Sequence, residues 1–275
     1  MTLLHAYPPP THIGLAAGKI ATMPTPNYLF ATWKYVLTER AALRIAPLHL
    51  RCALAATLIA LLAPPNVAQA ACDDAPKAGV DWHSCEKHRL IMRKADLQGA
   101  RLEGTGMEGS DLAQANLSGA NLSRARVDRA RFAGADLSRA KLARLTAYRT
   151  NFTDAKMAGA DMTKAELMRS NFSGANLAGA NMEKAELQRA SLENAVLTGV
   201  NLTGADMART ILVKAKLSGA RFSQARMFLT RIEGVDLSAA IGIAQSQLDT
   251  ACGNAQTKLP LGLKAAVSWP CPAED

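Results

Sequence analysis

Ala115-Asn116-Leu117-Ser118-Gly119-Ala120-Asn121-Leu122-Ser123-Arg124 and Ala175-Asn176-Leu177-Ala178-Gly179-Ala180-Asn181-Met182-Glu183-Lys184 each contain the same five-residue unit twice. The unit is a small residue, a polar residue, a large apolar residue and two outward-type residues. Its apolar position runs Met92, Leu97, Leu102, Met107, Leu112, Leu117, Leu122, Val127, Phe132, Leu137 and on to Leu237 without an insertion, with Ala, or sometimes Ser, Thr or Val, two places before it. A period of five matches neither the 3.6 of a helix nor the 2 of a strand, so either element would scatter these residues over all its faces. The chain must therefore turn in step with its repeat. If each unit is one side of a square coil, the small and the apolar residue point inward, and stacked coils bury one column, as in a solenoid.

The pattern resembles the pentapeptide repeat family, whose motif is A(D/N)LXX. The resemblance implies an all-β fold, a right-handed quadrilateral β-helix of about seven coils, each of about twenty residues and stacked at the strand spacing of about 4.8 Å. Read at intervals of twenty, one inner column is Leu112, Phe132, Phe152, Phe172, Leu192, Leu212 and Ile232, so Phe132, Phe152 and Phe172 are expected to stack in the core. Ala147 breaks the apolar series while Leu145 occupies the small position before it, which predicts exchanged roles and a bulged side there, with Tyr148 over the thin spot. No proline lies between Pro76 and Pro260, as backbone paired on both edges requires.

His, Trp and Cys are absent from Arg89 to Ala251, so the repeat cannot assemble a nucleophilic triad or a His- or Cys-based metal site. No catalytic residue, cofactor, metal or small-molecule substrate is expected there. The surface says more. Arg129, Arg149, Arg169, Arg189 and Arg209 recur at one corner, and Arg124, Arg144, Lys164 and Lys184 at the corner before it. Like charges about 4.8 Å apart repel by about 0.9 kcal/mol in bulk water before screening. Glu166, Glu186 and Asp206 lie between the corners, so one reading is a charge-alternating, solvated face; the other is a basic strip for an anionic partner. A net charge of +9 fits attraction to polyanions but names none. Nucleic acid is not the expected partner, because aromatic platforms are scarce among the basic residues.

Outside the repeat the text changes. Arg44 and Arg51 precede an apolar run over residues 52–63, followed by Pro64-Pro65 and Ala68-Gln69-Ala70, the three parts of a secretory signal peptide. The expected organisation is an extension and signal peptide over 1–70 with cleavage after Ala70, a disulfide-linked cap over 71–91, the β-helix over 92–240, and a cap with a short helix and a disulfide over 241–275. An uncleaved signal that tethers the chain to the membrane is the alternative. The stretch ahead of the apolar run is longer than a signal needs, which suggests a true start within it. Removing the signal leaves Cys72, Cys85, Cys252 and Cys271, which read as Cys72–Cys85 and Cys252–Cys271 disulfides in an oxidising compartment. A metal set of His83, Cys85 and His88 with Cys72 is the weaker alternative.

Ala251-Cys252-Gly253 with Thr257-Lys258-Leu259-Pro260 and Gly262-Leu263 is similar to the C-terminal segment of secreted pentapeptide repeat proteins of Gram-negative bacteria. Periplasmic or secreted residence follows from that and from the signal. The functional expectation is a non-enzymatic exported scaffold for protein interaction, its partner unidentified. The alternative is a binder of anionic envelope polymers or lipid headgroups through Arg124, Arg129, Arg144, Arg149, Arg169, Arg189 and Arg209. The resemblance also implies that a terminal coil can mediate a homodimer, and it brings in the family's DNA-mimicking members that bind DNA gyrase. Such mimicry needs an acidic surface in the cytoplasm, and this chain is basic with an export signal.

Overall fold

The computed structural model describes residues 72–271. The extension, the apolar region 52–63 and the cleavage site lie outside the described residues. Within them, parallel bridges join positions twenty apart, Asp96 to Asn116, Asn116 to Asp136 and Asp136 to Lys156, in a ladder running from Asp81–Arg101 to Arg221–Ile241. One bridge per five residues and one closure per twenty make a four-sided β-helical coil. Each side contributes one bridge position rather than a long strand, because the chain turns before a second can form.

The unit beginning at Asn116 shows why this sequence turns where it does. The Asn116 amide donates to Ala95 O (2.9 Å) in the coil before, and the Leu117 and Gly119 amides donate to Asp136 O (2.7 Å) and Ser138 O (2.9 Å) in the coil after. The Ala120 amide closes a β-turn onto Leu117 O (3.0 Å). The remaining amide, Ser118 N, donates to the Asn116 side-chain Oδ1 (3.2 Å). The Asp or Asn of the motif is thus the acceptor for the one amide that the ladder leaves over, as an Asx turn provides. The same bond recurs from Ala113 to Asp111, Ser123 to Asn121, Ser138 to Asp136 and Thr203 to Asn201.

Inside, the apolar and small positions are buried along the repeat, with Ala95 and Ala240 near its ends half-buried. Phe132 and Phe152 stack with centroids 5.2 Å apart, and Phe152 and Phe172 at 4.8 Å, which measures the rise per coil directly. Leu145 and Ala147 are both buried and have exchanged bulk, but the expected bulge is not there: the turns stay in register and Thr146 keeps its bridges to Arg126 and Glu166. A large residue two places before a small one fills nearly the same volume, so the backbone need not deform. The turn bond from Thr150 N to Ala147 O is long, 3.4 Å, where the Ser170 hydroxyl enters the turn, accepting from Thr150 N at 3.1 Å and donating to Ala147 O. Hydroxyls at the small position carry a second function. Thr150, Thr210 and Thr230 each donate from Oγ1 to a carbonyl of the preceding coil, Val127, Leu187 and Met207 at 2.7–2.8 Å, giving a buried acceptor a second partner.

The ladder opens at Asp81, inside the stretch expected to be a cap. Val80-Asp81-Trp82 already has the small, polar and apolar order, and Trp82 is buried. The charged Lys87 at the next apolar position hides this continuity. Its ammonium lies 4.4 Å from the Trp82 ring centroid and donates to Cys72 O, so its stem covers the end of the column while its head reaches a carbonyl. Cys72 is bonded to Cys85, and Cys252 to Cys271.

At the far end the ladder stretches to Arg231–Cys252 and Asp236–Lys258 as extra residues enter. Helix α1 (Gln245–Leu248) inserts Leu248 into the core, and Gln247 Nε2 donates to Phe222 O and Ala225 O, each at 2.8 Å. The Trp269 indole donates to Ala251 O (2.6 Å), and a Cβ on Gly253 would overlap its ring.

The Asx bonds make the fold sensitive to acid. Burial works to raise the Asp136 carboxyl, but the Ser138 hydroxyl and amide and the Lys156 charge outweigh it and hold the group below its ordinary value. A group depressed by folding contributes stability above its unfolded value of about 3.9, and that contribution is lost as pH falls through the folded value. Asp136→Asn keeps the acceptor and removes the proton linkage. Denaturant melts should show a variant within about 0.5 kcal/mol of the parent at neutral pH. Its stability should fall less steeply than the parent's below about pH 4; parallel acid limbs would contradict the linkage.

Candidate functional site

The last residue of each unit, such as Gly119 in the unit Ala115–Gly119, is a corner with positive φ. At many corners this is glycine, for example Gly119 (φ 67°) and Gly179 (φ 65°). The non-glycine corners are mostly arginine or lysine, and they include every arginine of the two ridges: Arg124 (φ 57°), Arg129 (57°), Arg144 (58°), Arg149 (55°), Arg169 (58°), Arg189 (59°) and Arg209 (59°). The left-handed region costs a side-chain-bearing L-residue about 1–2 kcal/mol and glycine almost nothing. The turn therefore demands a conformation that favours glycine, and the ridges fill it with long cations instead.

The ridge side chains differ in what they touch. Arg124 approaches Glu103 at 3.7 Å. Arg149 and Arg169 lie over the Tyr148 ring, 5.1 and 6.0 Å from its centroid. Arg209 is half-buried and engaged. Arg129, Arg144 and Arg189 are exposed and have no ion pair among the described residues. Glu166 and Glu186 likewise form no pair with Arg169 or Arg189, and Asp206 is bound instead to Arg226 at 2.8 Å. Between Asn121 and Ala160 nine arginines and lysines face three aspartates, so the middle of the rod carries an unbalanced positive surface.

Two features escaped the sequence. Tyr148 is a half-buried platform under two arginines rather than a plug for a thin core. Arg126 lies between Arg124 and Arg129 in the sequence but does not join them: its guanidinium holds Glu86 (2.9 Å) and Glu108 (2.9 Å). The first pairing spans forty residues, two coils, and reading at intervals of twenty would have exposed it had Gly106 not stood between. Of the alternative metal set, Cys72 and Cys85 are consumed by their disulfide, His83 meets Asp81 at 2.8 Å and His88 turns towards Glu86 and Glu108.

Coils closed by turns every five residues around a buried apolar column define a β-helical repeat protein. The family model for pentapeptide repeats matches in overlapping copies over residues 91–129, 110–154, 130–167, 148–184 and 185–224, and the chain belongs to the pentapeptide repeat family. Among solved structures it is similar to QnrB1, a plasmid-mediated fluoroquinolone resistance protein, at 18% identity and a TM-score of 0.56, over 66% of this chain and 91% of that one. At that identity the likeness is one of fold, the right-handed quadrilateral β-helix. HetL, a pentapeptide repeat protein involved in heterocyst differentiation regulation from the cyanobacterium Nostoc sp. strain PCC 7120, aligns at 25% identity over 63% of this chain and 84% of its own, with a TM-score of 0.37. A pentapeptide repeat protein of the Arabidopsis thaliana thylakoid lumen aligns at 30% identity over 39% and 68%, with a TM-score of 0.21. No curated protein matches the chain.

If the corner arginines are kept at a cost to stability, removing one should show it. Arg129→Gly is expected to fold at least as stably as the parent, gaining up to about 1 kcal/mol, read as a raised denaturant midpoint at unchanged slope. A loss of stability would mean that the Arg129 side chain contributes packing or pairing beyond its charge.

Proposed function

We propose that the chain is an exported, non-enzymatic scaffold that presents a rigid β-helical surface to a macromolecular partner. The observation that carries this reading is how the backbone is used. Almost every amide of the repeat is bound into the coil and the inward side chains fill it, so what remains for chemistry is a stiff outer surface with His and Cys only near its ends. The two disulfides support residence in an oxidising compartment, where such bonds persist. The proposed organisation is a cleaved signal over 1–70, a front cap, the rod and a back cap over 241–275. Mass spectrometry of the periplasmic fraction should find a chain beginning at Ala71 and lighter by the four hydrogens of two disulfides. Recovery of the intact chain from cytosol would overturn export.

A second reading is favoured by a specific feature, the unpaired arginines on their costly corners. It makes the middle of the rod a binding surface for anionic envelope polymers or lipid headgroups. Contacts of this kind neutralise several charges at once and weaken steeply with salt. The protein should be retained on an immobilised polyanion such as dextran sulfate and elute with salt. Changing Arg129, Arg149 and Arg169 together to Gln should move elution to markedly lower salt. An unchanged elution position would remove the ridge as a binding surface and leave the scaffold reading in place. Gyrase binding through DNA mimicry is not adopted, since the charge of this rod has the wrong sign for it. A homodimer through a terminal coil is compatible with either reading.

A further inference from the structure

We propose that Glu86, His88 and Glu108, at the front of the rod, form a site for a divalent transition-metal ion of the zinc class. Glu86 and His88 come from one side of the first coil and Glu108 from the same side of the next. One donor atom from each lies within 4.8 Å of the others.

Three observations set this cluster apart from an ordinary surface ion pair. First, the two ring nitrogens of His88 both face carboxylate oxygens, Nε2 at 2.6 Å from Glu86 Oε2 and Nδ1 at 2.6 Å from Glu108 Oε2. A neutral imidazole has one N–H, so one of these contacts sets lone pair against lone pair unless a cation intervenes. Second, Glu108 Oε2 is buried and has no hydrogen-bond partner among the described residues. Third, space has been cleared. Gly106 lies between Glu86 and Arg126 in the same column without a positive φ, so its turn does not require glycine, yet a Cβ there would overlap Glu86 Oε2 and come within 2.7 Å of Arg126 and His88.

Arg126 orients the donors. Its Nε takes Glu108 Oε1 (2.9 Å) and leaves Oε2 free, while its NH2 group holds Glu86. Two carboxylates against one guanidinium leave one negative charge for a cation to answer. One imidazole with carboxylates suits zinc, nickel or cobalt better than magnesium, which prefers an all-oxygen octahedron. Water completes the coordination, since the cluster is partly open to solvent. The remaining ring N–H of His88 then faces a carboxylate, the usual second partner of a metal-bound histidine.

Isothermal titration of zinc chloride into the full, disulfide-bonded chain at about pH 7.5 tests this, with magnesium chloride as the control. One zinc per chain is expected, weakened at least tenfold in His88→Gln and again in Glu108→Gln, with both variants keeping the parent's circular dichroism. Zinc held by His5, His12 or His49 would survive His88→Gln, and equal affinity in that variant overturns the site. Absence of zinc binding overturns it too. Gly106→Val, which fills the cleared space at a permissive backbone position, should abolish the zinc heat; binding at parental affinity would count against the proposal.

Discussion

The closure of backbone hydrogen bonds over twenty residues is the constraint on which everything else in this molecule rests. An amide taken from water and left unpaired costs about 1–3 kcal/mol, so a chain that turns every five residues must find a partner for each amide at every turn. Three of the five go to neighbouring coils, one closes the turn and the fifth goes to the Asp or Asn side chain, as in the unit beginning at Asn116. The motif's polar residue is thus a backbone acceptor first and a surface residue second. Where the position holds another residue, as at Arg131 or Lys141, that side chain cannot accept, and the cost is borne where the amide can reach water.

Once the backbone is closed, the five positions are free to specialise. The apolar residue and the small residue serve the column, where substitutions in bulk are tolerated if volume is conserved, as Leu145 and Ala147 show. The corner residue serves the turn and would be best as glycine. That arginine and lysine hold so many of these corners is therefore a fact about the surface rather than the fold. The like charges stacked up one corner also repel, so neither conformation nor electrostatics accounts for them as stabilising elements.

Much of the architecture was legible because the repeat encodes local geometry: the inward column, the phenylalanine stack and the corner ridges all follow from counting by five and twenty, while the two disulfide pairings follow from the cysteines grouped in one pair at each end of the repeat. What was not legible depends on distances that counting does not carry. Lys87 disguised the first side of the coil because a charged residue at an apolar position reads as an interruption, although a long aliphatic stem can cover a column while its ammonium reaches Cys72 O. The pairing of Arg126 is hidden because its partner Glu86 lies two coils away, across a glycine whose missing side chain is the reason that they meet. Hydroxyls such as Thr150 and Thr210 read as tolerated small residues, and only the structure shows the carbonyl that each one caps.

The placement of ion pairs gives the rod an axial polarity that its net charge conceals. At the front, Asp81 binds Arg101, Glu86 and Glu108 bind Arg126, and Asp111 approaches Arg93. At the back, Asp206 binds Arg226, Glu233 binds Arg231 and Asp236 binds Lys258. Between them Arg129, Arg139 and Arg144 have no ion pair among the described residues. Charges interact through water over about 8 Å at physiological salt, less than two coil rises, so the acids at the ends cannot neutralise the middle. The ends are therefore electrostatically closed, by pairs and beside the disulfides, while the middle is left positive. A stiff backbone keeps it so, since a chain that could bend or slide would bring those acids inward to the arginines. Rigidity is what preserves the charge separation, and the separation is what gives one stretch of an otherwise uniform rod a surface of its own.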